Sequence, residues 1–177
     1  MNLPLLSWTQ RFPKSNAQKD SAQQNNGQQD NTQNASNATR TFEFRLNSTH
    51  KDCDNSISTL HVEYLVNGEW RPFDLNVQTR GFQIFAYSCF ICQHTYLRMN
   101  VTELGLAIAF VDGHFQLTTT QDWQVASVTA DFDMYLTDGT VDSDKTRYLI
   151  DRMKGCPVSR NLSHDVIKKT QLVIHPF

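Results

Sequence analysis

The chain predicts an α+β domain with helices packed on an antiparallel sheet. Three observations carry this: repeated segments alternate apolar and polar side chains with a period of two, two longer segments break that alternation with helical spacing, and tight-turn dipeptides separate them. With 39% hydrophobic residues, among them 11 Phe, 3 Trp and 5 Tyr, the 177 residues suffice for one core.

The first 40 residues read differently from the rest. Leu3 to Leu6 form a short apolar patch with no basic residue before it, too short for a secretory signal core or a membrane span. From Ser15 to Thr39 the chain is mostly Gln, Asn, Ser, Ala and Asp, with nothing to bury against the entropy of ordering it. A disordered Gln/Asn-rich leader over 1–40 and a folded domain over 41–177 are therefore expected, in a soluble, cytoplasmic protein. Basic and acidic residues nearly balance, 16 against 18, without a Lys/Arg run, which argues against nucleic acid as a partner, and with so short an apolar patch no membrane partner is expected either. Four cysteines are too sparse for a disulfide scaffold, and a reducing compartment leaves thiols free for chemistry.

Within the domain, Phe42, Phe44 and Leu46 alternate with Glu43 and Arg45, as a half-buried strand does. Ser58 to Leu65 repeats the pattern through Leu60, Val62 and Tyr64. Asn67-Gly68 marks a tight turn, and Trp70, Phe73, Leu75 and Val77 supply a return strand that Pro72 confines to an edge or a bulge. From Gly81 to Met99 the residues are too many and too apolar all round for a strand, so a largely buried helix of about 18 residues is expected, closed by Asn100. Strand signals resume at Leu104 to Phe110, Asp112-Gly113 reads as a turn, and Phe115 to Thr119 and Trp123 to Leu136 extend the sheet up to Asp138-Gly139. Asp142-Ser143-Asp144 can cap a second helix with an apolar face of Tyr148, Leu149, Ile150 and Met153, stopped by Gly155. Cys156-Pro157 then forms a constrained turn at that helix's C-terminus, and Val166 to Ile174 is the last strand.

Chemistry, if present, belongs to the cysteines. Cys92 lies mid-helix, and Cys156 lies just past the second helix. The stretch Thr79 to Met99, with Leu97-Arg98-Met99 beyond Cys92, resembles the central helix of OsmC/Ohr proteins. Cys156-Pro-Val-Ser-Arg-Asn-Leu162 resembles that family's second-cysteine motif, and the element order between the two motifs also fits. The resemblance covers roughly Phe42 to Pro176. It implies an OsmC-like fold, a homodimer with sites at its interface, and a thiol peroxidase for organic hydroperoxides. Carried over, Cys92 is the peroxidatic thiol and Cys156 the resolving thiol, reset by an external thiol reductant and needing no cofactor. Phe82, Phe85, Tyr87 and Phe90 could wall an apolar substrate pocket.

Phe82 stands ten residues before Cys92, where many of these proteins carry a Glu that positions an Arg beside the thiolate. Without a cation a buried thiol is held protonated. Arg45 and Arg71, from the early strands, are the candidates for that Arg. Among other readings, Cys89 and Cys92 form a C-x-x-C, but it lies mid-helix rather than at a helix N-terminus, and a zinc site there would need more ligands than His94. His94 and His164 read as structural, and Cys53 as an exposed loop thiol. Two functions remain open: hydroperoxide reduction through Cys92 and Cys156, or a catalytically weak or silent OsmC-like protein binding an apolar small molecule at a dimer cleft.

Overall fold

The computed structural model describes residues 39–51 and 54–176. The expectations for residues 1–38 and for Cys53 lie outside them. Among the described residues the strands are β1 (Arg40–Lys51), β2 (Ser56–Val66), β3 (Glu69–Pro72), β4 (Ile108–Thr119), β5 (Val125–Leu136) and β6 (Ile167–Pro176). The helices are α1 (Gly81–Glu103), α2 (Ser143–Lys154) and α3 (Pro157–Arg160). One six-stranded sheet runs β3-β2-β1-β4-β5-β6. The architecture is α+β, as the alternation predicted.

Strand alternation turns one face of this sheet inward. Phe44, Leu46, Val111, Phe115, Leu117, Val128, Ala130, Phe132, Met134 and Leu136 are all buried there, and α1 lies against β1 and β4. Each large side chain so buried contributes about 1.5–3 kcal/mol, which is what holds the helix layer to the sheet. The expected all-antiparallel sheet needs correction at one edge, because β6 pairs with β5 in parallel. A parallel neighbour cannot be reached by a hairpin, and the chain between the two strands, which includes α2 and α3, supplies the crossover.

Four boundaries differ from the sequence reading. Asp112-Gly113 is not a turn but the middle of β4, opposite Leu46 and Phe132. A Cβ on Gly113 would lie 3.0 Å from Phe90 Cζ, 3.1 Å from Leu46 Cγ and 3.1 Å from Phe132 Cδ1, so the glycine makes room for a helix rather than for a bend. The reversal comes instead at 120–124, where Arg40 donates to the carbonyl of Gln121 at 2.7 Å and lies 4.2 Å over the Trp123 ring. β3 ends at Pro72, which has no N–H for the ladder, leaving Leu75 and Val77 exposed beyond it.

α1 runs through Asn100 rather than stopping there. The Asn100 amide donates to the Tyr96 carbonyl at 2.6 Å and its Oδ1 accepts from Arg152 Nε at 2.6 Å, so the residue fastens α1 to α2. The stop is Gly105, at φ 69°, with Gly105 N–H donating to Thr102 O and Leu106 N–H to Val101 O, the paired bonds of a Schellman ending. The first segment after it is extended only from Ile108, not from Leu104. Nor is α1 buried all round: Ala86, Cys89, Phe90, Gln93, His94, Leu97, Asn100 and Val101 form one buried stripe, while Ile84 and Met99 are exposed. Asp142 caps α2 as expected, accepting from Lys145 N–H at 2.8 Å.

Candidate active site at the thiols

The turn after α2 builds half of the site. Cys156 is the residue that begins α3, its backbone extended at φ −62° and ψ 150°, and Pro157 follows with the φ a first helical turn requires. In that position its Sγ accepts the Ser159 N–H at 3.4 Å, while its own S–H donates to Ser159 Oγ at 3.2 Å. Sequence reasoning placed Cys156 at the end of α2 and missed α3, although Pro157 was its start signal.

α1 builds the other half and packs against α3. Cys92 is half-buried, and the Cys156 side chain and the Val158 backbone lie close enough to act on its thiol. Cys89, one helical turn earlier, is fully buried and close enough to both sulfurs to feel their charge. The three thiols therefore share one site, and all three are free. Burial pushes the Cys92 thiol up to about 11, against the Val158 N–H and with a further push from Cys156. Burial likewise pushes Cys89 up to about 12, reinforced by Cys156 and Cys92.

Among the described residues, no cation acts on Cys92. Arg45 Nε instead donates to Glu63 Oε2 at 2.6 Å, with the guanidinium 4.6 Å over the Trp70 ring, on the sheet face away from α1. Arg71 pairs with Glu69 at 3.1 Å on the exposed edge strand. Phe82, at the position of the expected Glu, sits in an aromatic cluster with Phe42 at 5.0 Å, Trp123 at 5.4 Å and Phe85 at 5.5 Å between ring centroids. Helical spacing sets Phe82, Phe85, Cys89 and Cys92 along one stripe of α1. Tyr87 packs on Phe73 at 5.0 Å, whereas Phe90 is wholly core, stacked on Phe115 at 5.2 Å.

Three buried polar residues that the sequence reading passed over lie behind Cys156. Thr170 Oγ1 donates to Gln93 Oε1 at 3.1 Å, and Gln93 Nε2 donates to Ser159 Oγ at 3.4 Å. A Gln directly after the cysteine, on a helix face that is otherwise apolar, was the available signal.

His94 belongs to a separate buried group. The His50 Nδ1–H donates to the Asn55 carbonyl at 3.1 Å, so its Nε2 accepts from Ser48 Oγ–H at 2.9 Å. Ser48 Oγ then accepts the His94 Nε2–H at 3.0 Å, and the remaining lone pair, on His94 Nδ1, has no partner among the described residues. Burial holds His94 down at about 3, with the nearby His50 and Arg98 adding to it. The expected structural His is thus bonded at one nitrogen only. Among the described residues no group of three or more His, Cys, Asp or Glu could hold a metal ion, and no helix is long and apolar enough to cross a membrane.

No family model and no curated protein matches the sequence. Solved structures do. The chain is similar to OsmC-like proteins. An OsmC-like hydroperoxide resistance protein from Jannaschia sp. CCS1 aligns at 17% identity over 69% of this chain and 86% of its own, with a TM-score of 0.46. An OsmC-like protein from Mycoplasma pneumoniae aligns at 8% identity over 80% of this chain and 98% of its own, with a TM-score of 0.45.

Proposed function

We propose that the chain reduces organic hydroperoxides with the Cys92 and Cys156 pair. The observation that carries this reading is the placement of a half-exposed thiol, Cys92, beside a buried one, Cys156, near enough for each to act on the other's charge. In the proposed cycle the Cys92 thiolate attacks the distal peroxide oxygen. A sulfur–oxygen bond forms as the oxygen–oxygen bond breaks, and the leaving alkoxide takes up a proton as alcohol. Cys156 then attacks the Cys92 sulfenic acid, releasing water and forming the disulfide, which two thiols of a reductant return to the dithiol state. Phe82 and Phe85, on the Cys92 stripe of α1, favour an apolar peroxide over hydrogen peroxide.

A second reading has its own support. A thiol held at about 11 with Phe82 in place of an acid suits a protein that binds an apolar small molecule on the aromatic stripe and does no chemistry. Consumption of cumene hydroperoxide with a dithiol reductant separates the two. Turnover that Cys92→Ser abolishes supports the peroxidase. No turnover by the fully reduced protein eliminates it and leaves the binder.

A further inference from the structure

The hydrogen bonds behind Cys156 form one buried chain that ends at its sulfur. Thr170 O–H points to Gln93 Oε1, Gln93 N–H points to Ser159 Oγ, and Ser159 places both its N–H and its hydroxyl oxygen on Cys156 Sγ, at 3.4 and 3.2 Å. Cys156, Gln93 and Ser159 are at most 3% exposed and Thr170 is 7% exposed, so water does not compete for these bonds. In the thiol form Cys156 donates to Ser159 Oγ. When Sγ carries negative charge, the same hydroxyl has only to rotate to donate, because Gln93 already occupies one of its lone pairs.

We propose that Ser159, backed by Gln93 and Thr170, receives the charge that develops on Cys156 when the Cys92–Cys156 disulfide is reduced. The external thiolate attacks Cys92 Sγ, which is half-exposed, whereas Cys156 Sγ is sealed in. A bond forms between the reductant sulfur and Cys92 Sγ, and the Cys92–Cys156 bond breaks. The electron pair leaves on Cys156 Sγ, into the Ser159 N–H and O–H. A second thiolate of the reductant attacks its own sulfur in the mixed disulfide and frees Cys92. A leaving sulfur whose charge is hydrogen-bonded departs faster, and a stabilised reduced form makes the disulfide a stronger oxidant. Ser159 touches the reacting sulfur, and Gln93 and Thr170 are positioning residues.

The inference rests on the two thiols forming a disulfide, not on the oxidant being a peroxide, so the disulfide is made with diamide. Its reduction by dithiothreitol is then followed, with a redox titration for the potential. Ser159→Ala should slow reduction about tenfold and shift the equilibrium against dithiothreitol about tenfold, a potential about 30 mV more negative. Ser159→Thr should restore both. Thr170→Val, nearly isosteric and remote from the sulfurs, should slow reduction two- to threefold. Wild-type rate and potential in Ser159→Ala, or no Cys92–Cys156 disulfide after diamide, overturns the proposal. A protein inert to hydroperoxides that shows these shifts upholds it while removing the peroxidase reading.

Discussion

At the scale of single residues the decisive quantity is the charge state of Cys92. Burial and the neighbouring thiol hold it near 11, and one backbone N–H is the opposing donor. A group at that value is about 0.01% thiolate at pH 7, since each unit between pH and pKa is a factor of ten. Alkylation of the Cys92 peptide by iodoacetamide, followed by mass spectrometry, should therefore rise about tenfold per pH unit from 7 to 9 with no plateau. A plateau below pH 8.5 would mean that a cation reaches the sulfur. That Cys92 and Cys156 are the pair to consider was legible in the two motifs around them. That no arginine among the described residues serves Cys92 was not, because Arg45 alternates to the far face of β1 and finds Glu63 and Trp70 there.

At the scale of elements, α1 and β4 explain each other. α1 approaches the sheet where Gly113 leaves a gap, and Phe90 fills it, stacked on Phe115 at 5.2 Å and 5.6 Å from Phe132. Gly113→Val would drive three carbons into that contact, and overpacking of a filled core costs about 1–3 kcal/mol. The midpoint of urea unfolding should fall accordingly, with unchanged slope. A midpoint at or above that of the wild type would show that the helix can retreat without cost. Sequence reading took Asp112-Gly113 for a turn because the dipeptide is a strong local signal. Register with Asn47 and Leu46 overrides it, and Asp112 becomes a partner of the Asn47 amide at 2.6 Å. Asn100 misled in the same way, since a residue that often ends helices is here satisfied by Arg152 of another helix.

At the scale of the whole molecule, buried imidazole makes stability depend on pH. His94 is held near 3 in the folded chain, well below the 6.5 of a free imidazole, and burial also lowers His50. The unfolded chain therefore binds protons that the folded one refuses. The stability these histidines contribute is complete above pH 6.5 and drains away as pH falls through that value. His94 alone should remove about 2 kcal/mol between pH 6.5 and 5. The Glu43 carboxylate, lowered chiefly by its bond from His114, loses its contribution only at lower pH, so this window isolates the imidazoles. Urea midpoints measured at pH 7, 6 and 5 should decline in the wild type and much less in His94→Gln. Equal declines would show that His94 charges freely in the native state.

The sequence by itself determined the element types and most of their order, because an apolar period of two or of 3.6 is a local property that survives any arrangement in space. Asp142 as a cap, Asn67-Gly68 as a hairpin turn and β3 as an edge strand with Pro72 belong to the same class of local signals. Only the tertiary structure decided that Cys89 joins Cys92 and Cys156 at one site, that β6 runs parallel to β5, and that Gln93, Ser159 and Thr170 converge behind Cys156. Those depend on side chains separated by up to 77 residues being buried together. Burial is what gives a hydrogen bond or a raised pKa its magnitude, and local pattern does not specify which distant residues share it.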